Sequence, residues 1–124
     1  MTKITIAGKE YPIVFSLSVA RALTKKYGDL DVISKVGDEA TPIDDKIDLS
    51  IFMLQKLITS GVTYQRMNGE AAPDVPSEEE LACLITIQEM PEITKKFYEA
   101  FKMKRTVEIE SEEEKDPNAK TTSE

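Results

Sequence analysis

The chain has 124 residues, 16 Lys+Arg against 23 Asp+Glu for a formal charge of −7, and no His, no Trp and one Cys. A net negative surface repels polyanions, so nucleic acid is not an expected partner, and the residue inventory removes any intrachain disulfide, any His-based triad and any His-containing metal site. Apolar runs are too short for a membrane span or the core of a signal peptide, which predicts a soluble, cytoplasmic protein without a membrane partner.

In Lys3-Ile4-Thr5-Ile6-Ala7 the branched residues alternate with polar ones, the period of two of a half-buried strand. Gly8-Lys9 supplies a turn and residues 11–15 return antiparallel, with Pro12 marking a sheet edge, so a hairpin is expected over 3–15. A two-stranded ribbon is marginal alone and must lean on a helix. The first helix is expected over 17–28: Ser16 or Ser18 caps it, Val19, Ala20, Leu23 and Tyr27 form its stripe, and Gly28 ends it after Lys25 and Lys26. Residues 29–36 offer a short further turn.

The strongest helical signal covers 42–68. Thr41 can cap, Pro42 suits the first position, and Asp44, Asp45 and Asp48 favour the positive end of the dipole. Ile43, Ile47, Ile51, Leu54, Ile58 and Val62 recur at helical spacing, and Leu49, Phe52 or Met53, Leu57 and Tyr64 cover an adjacent face, which predicts a central helix buried on two sides. Gly61 inside it marks either a close crossing or a break. Ser77 followed by Glu80 is a capping box that starts a helix over 77–88 with Leu81, Leu84, Ile85 and Gln88 toward the core. A last helix over 91–104 carries Ile93, Phe97 and Phe101 on one stripe. Residues 105–110 alternate polar and apolar and could add a third strand. Residues 105–124 hold three cations against seven acids, and beyond about 110 almost no apolar side chain remains to offset the ordering cost, so an acidic disordered tail is expected over 111–124. The fold class is therefore α+β, mainly α: one globular domain over 1–110, with a hairpin on a bundle of about four helices.

No residue pattern asks for catalysis or a cofactor. Acids in first turns are explained by dipole and capping, Cys83 in Leu81-Ala82-Cys83-Leu84-Ile85 reads as a small buried hydrophobe, and no glycine spacing makes a phosphate loop. The Ile93, Phe97, Phe101 stripe reads either as core or as a docking face for a partner helix, and the acidic tail either as a solubilising end or as an interaction arm.

The opening KITIAGKEYPIVFSLSVARALTKKYGDL, a short hairpin leading through Phe15 into a helix closed by Lys-Lys-Tyr-Gly, resembles the phage tail assembly chaperones of Gram-positive siphophages and prophages. The likeness is clearest over residues 3–30. It implies a non-enzymatic role: members coat the long helical tape-measure protein, keep it soluble, and leave as tail tube subunits polymerise, so they are absent from the mature virion. Some are also made in a longer, frameshifted form whose extension recruits the tube protein. The family has no catalytic residue to carry over. Ile93, Phe97 and Phe101, with Leu57 and Tyr64, are the residues expected to face the tape-measure partner, and coating by many copies favours a homo-oligomer. A structural tail or connector component and an acidic regulatory or inhibitor protein remain open as alternatives.

Overall fold

The computed structural model describes residues 1–102; the expected strand at 105–110, the tail at 111–124 and the last two residues of the helix expected over 91–104 lie outside the described residues. The fold is mainly helical with an N-terminal antiparallel hairpin.

Strands β1 (Lys3–Ile6) and β2 (Lys9–Pro12) pair with Ile6 opposite Lys9 and Lys3 opposite Pro12. The turn falls one residue earlier than expected, on Ala7 and Gly8, because both take positive φ, 50° and 80°, the two-residue loop whose twist matches a hairpin. That register puts Ile4, Ile6 and Tyr11 on the buried face. It also ends β2 at Pro12, where the expectation was a strand over 11–15. Ile13 and Val14 continue as buried extended chain, the Ile13 amide donating to the Thr2 carbonyl at 3.0 Å and the Val14 amide to the Leu57 carbonyl at 3.2 Å.

Helix α1 (Leu17–Tyr27) closes on Gly28, whose φ of 99° is the left-handed geometry that suits glycine and whose amide donates to the Thr24 carbonyl. Ser16 precedes it but its side chain does not cap; it accepts instead from the Ser60 hydroxyl at 2.6 Å, tying the hairpin–helix junction to the central helix. The turn after Gly28 is a longer 3-10 helix, Leu30–Gly37, started by the Asp29 carboxylate on the Asp31 amide and burying Val32 and Val36. Helix α2 (Ile43–Met67) is the axis of the molecule: α1, β2, the 3-10 helix, α3 (Glu78–Leu84) and α4 (Met90–Lys102) all pack on it. Pro42, not Thr41, occupies its N-cap, and no side chain caps it.

The helix expected over 77–88 stops at Leu84. Ile85 is extended (φ −102°, ψ 135°), and a second capping box, Thr86 with Glu89, starts a 3-10 turn over Ile87–Glu89 that runs into α4. Leu84, Gln88 and Cys83 are therefore exposed, not core-facing: a helix of 7 residues anchored through buried Leu81 has only one side to bury. At the other end of the bundle α4 lies along β1, and Phe101 meets Phe15 edge-on at 4.9 Å between ring centroids.

Gly61 settles as a close crossing. A Cβ there would run into the Pro12 carbonyl and lie 2.9 Å from the Ile13 amide nitrogen, so backbone passes directly over backbone. Gly61→Ala should therefore destabilise the fold by about 3 kcal/mol or more, since overpacking against rigid backbone outweighs the roughly 1 kcal/mol that alanine gains in an ordinary helix. Denaturant titration of the two proteins measures it, and a stabilised variant would contradict the crossing.

Candidate functional site

The five side chains expected to meet a partner divide. Leu57 and Phe97 are wholly enclosed and Ile93 nearly so, all three within the main cluster around α2. They hold the bundle together and offer a partner almost no surface in this arrangement; the stripe that could serve as core or as docking face serves as core. Phe101 is half-buried between Phe15 and Tyr98, and Tyr64, toward the C-terminal end of α2, is exposed. The structure does not gather the five into one patch.

Exposed apolar surface gathers elsewhere. Along α2 the first stripe starts outside the core: Ile43 is 57% exposed, Ile47 and Ile51 are half-buried, and only from Leu54 onward is the stripe enclosed. Opposite this open end lies the connection between α3 and α4. Because α3 stops at Leu84 and the chain runs extended to the next capping box, the connection stands off α2 and leaves a groove of about 180 Å³. Ile47, Ile51 and Leu54 form one wall; Ile85, Ile87 and Met90 form the other, with Ile87 55% exposed. Its volume is below the roughly 300–1,000 Å³ usual for cofactor or substrate sites and suits an inserted side chain or two.

Two hydroxyl side chains line this groove, Thr86, whose Oγ1 is bonded to Glu89, and Ser50. Ser50 is 3% exposed and its Oγ, alone among buried side-chain polar atoms of the described residues, has no hydrogen-bond partner. A helical serine ordinarily turns back to the carbonyl four residues earlier, as Thr59 does to Gln55 at 2.7 Å. Ser50 does not, and an unmet buried hydroxyl costs about 1–3 kcal/mol.

The groove is flanked by acid on both sides. Ile51 also borders a larger hollow where Asp45, Asp48 and Glu78 approach Tyr27. Burial first, and then the charges of Asp48, Glu78 and Asp45, raise the Tyr27 phenol above its ordinary value. Ile85 and Ile93 border a second hollow, between β1 and α4, that holds Glu89 and Glu92. Among the described residues there is no cluster of three or more His, Cys, Asp or Glu placed to hold a metal ion, and no helix is long and apolar enough to cross a membrane. Cys83 sits at a shallow hollow beside Lys9 and Glu80 rather than at the groove.

The signal for the groove was present in the sequence as Thr86-x-x-Glu89, a second capping box that breaks the helix expected over 77–88. No family model, no curated protein and no solved structure matches the chain.

Phe97→Ala should cost about 3–5 kcal/mol of stability as a core truncation, while Ile87→Ala should stay within about 0.5 kcal/mol; equal effects in thermal or denaturant unfolding would contradict the division between core and groove. For Tyr27, the folded chain keeps its phenolic proton to higher pH than the unfolded chain. Its contribution is thus fully present below about pH 10 and is lost as pH rises further. Phenolate absorbance, compared with Tyr27→Phe to isolate this residue, should show the titration moving down in Asp48→Asn.

Proposed function

We propose that the protein is a non-enzymatic phage or prophage tail assembly chaperone that binds the tape-measure protein in the host cytoplasm, keeps it soluble until tail tube subunits assemble, and is absent from the finished virion. The observation that carries this reading is the open apolar strip of α2, Ile47 and Ile51, facing Ile87 and Met90 across a groove with acidic flanks, with exposed Ile43 a turn before it. A protein that shields a long helical client needs an apolar face with a polar rim, and the energy of such contacts comes from a few aliphatic or aromatic anchors rather than from total area. The resemblance of residues 3–30 to that chaperone family supports the same reading, because a hairpin leading into α1 is what the quoted motif predicts.

In this reading the client contact falls to the groove, with Tyr64 as further exposed aromatic surface and Phe101 half-buried, and Leu57, Ile93 and Phe97 act through the core. The tail tube protein is the second partner, homo-oligomers form along the client, and neither nucleic acid nor a membrane takes part.

Co-expression with the tape-measure protein of the same phage should move that protein from the pellet to the soluble fraction and yield a complex on size-exclusion chromatography. A client no more soluble with this chain than without it would end the proposal. Mass spectrometry of purified particles should find the tube and tape-measure proteins and not this one.

A further inference from the structure

We infer that the groove between α2 and the α3–α4 connection is a docking site for an aliphatic-faced segment whose flanks are basic, with a polar group of that segment completing the hydrogen bond that Ser50 lacks. This locates the binding face for the chaperone reading and rests on it only for the identity of the natural partner.

Three observations select this occupant. The size and lining come first: about 180 Å³ between Ile47, Ile51 and Leu54 on one side and Ile85, Ile87 and Met90 on the other accepts branched aliphatic side chains and little more. The Ser50 hydroxyl is the second. It lies buried in an apolar wall with no partner of its own, although the same helix shows at Thr59 that a hydroxyl can satisfy itself locally. The Oγ is closed to solvent as the wall stands, so a segment whose hydroxyl, amide or carbonyl parts the wall over Ser50 recovers a bond that an apolar plug would leave unmade.

Charge is the third. On the side bordered by Ile51, the acids Asp38, Asp45, Asp48 and Glu78 share a hollow with Lys26 and Lys35, and the Lys26 ammonium also lies 4.7 Å from the centre of the Phe52 ring. On the side bordered by Ile85 and Ile93, Lys3 and Lys96 are paired with Glu10 at 3.8 Å and Glu99 at 3.5 Å, and Glu92 and Glu89, whose carboxylate also accepts from Thr86, add two further negative charges. Both flanks thus carry more carboxylates than lysines about an apolar centre, and a lysine or arginine on either side of the seated segment meets that excess. The same charges oppose the two occupants closest at hand. A second copy would set acidic flank against acidic flank, and residues 105–124 of this chain carry three cations against seven acids.

The test uses the full chain and a synthetic helical peptide of about 18 residues, long enough to hold a helix, with leucine and isoleucine at helical spacing, one threonine among them, and lysines on both flanks. Calorimetry and amide NMR shifts should show it bound at the groove, at least about tenfold tighter than a version with glutamate flanks and weakening as salt is raised. Ile87→Ser, at an exposed and uncharged position, should weaken binding about tenfold. Ser50→Leu, which fills the groove, should abolish it, and Ile87→Ser decides the matter if Ser50→Leu does not fold. The inference is overturned if both peptides bind alike or neither binds, or if Ile87→Ser changes nothing. It is likewise overturned if the free chain forms dimers that Ile87→Ser dissolves, or if the shifts place residues 103–124 on the groove. Co-expression separates the two claims. A tape-measure protein kept soluble by Ile87→Ser as well as by the unaltered chain removes the groove and leaves the chaperone reading. Peptide binding as described, with no effect on that protein's solubility, keeps the groove and removes the reading.

Discussion

Backbone meets backbone where the chain leaving β2 crosses α2, and the rest of the arrangement is built around that contact. The Pro12 carbonyl rests on Gly61, the Val14 amide donates to the Leu57 carbonyl, and the Ser60 hydroxyl reaches Ser16 just beyond. Only a residue without a Cβ lets the two segments approach this far, so the glycine that weakens α2 locally is what allows a two-stranded hairpin, marginal by itself, to be fastened to a long helix. Pro12 belongs to the same solution. It sits at a non-hydrogen-bonded position of the ladder, opposite Lys3, where its missing N–H costs no pairing. With the hairpin fixed across one side of α2, α1 follows along it and α4 closes over β1 and α2.

Much of this was legible in the sequence, and what was not has identifiable physical causes. Period-two alternation at Ile4 and Ile6, the stripe of α1 with its glycine stop, and the long apolar pattern of α2 are local properties, and each produces the element it predicts. The turn slipped by one residue because Ala7 takes a left-handed conformation that alanine rarely adopts; the neighbouring glycine was the visible half of a two-residue loop. Cys83 and Leu84 were expected to be buried on the assumption that 77–88 was one helix. Thr86 and Glu89 repeat the capping pattern already recognised at Ser77 and Glu80, and that repeat is where the helix divides.

The candidate site was harder to read, for a different reason. Whether a stripe such as Ile93, Phe97 and Phe101 faces inward or outward depends on what lies across from it, and no period carries that. The structure places hairpin and α2 across from it, and the stripe is core. The open surface arises from the opposite circumstance. Ile43, Ile47 and Ile51 continue the pattern that Leu54, Ile58 and Val62 bury, yet Ile47 and Ile51 are only half-covered, with the α3–α4 connection across the groove from them. In the same turns Leu49, Phe52 and Met53 are buried, so one side of the helix is covered and the other, bounded by a connection held extended between two capping boxes, is the groove.

The packing of α4 along β1 joins the two ends of the described chain. The inner side chains of β1, Ile4 and Ile6, are sealed in the same cluster as Ile93, Phe97 and Ala100 of α4, and Phe101 closes the seam on Phe15. First strand and last helix of the described chain therefore share one packed seam, although most of the sequence separates them. Loosening of α4 uncovers β1, and amide protons in the two segments should exchange with solvent in step, more readily than those of α2 beneath them. Exchange in step would mark the seam as a clasp whose opening leaves α2 folded beneath it.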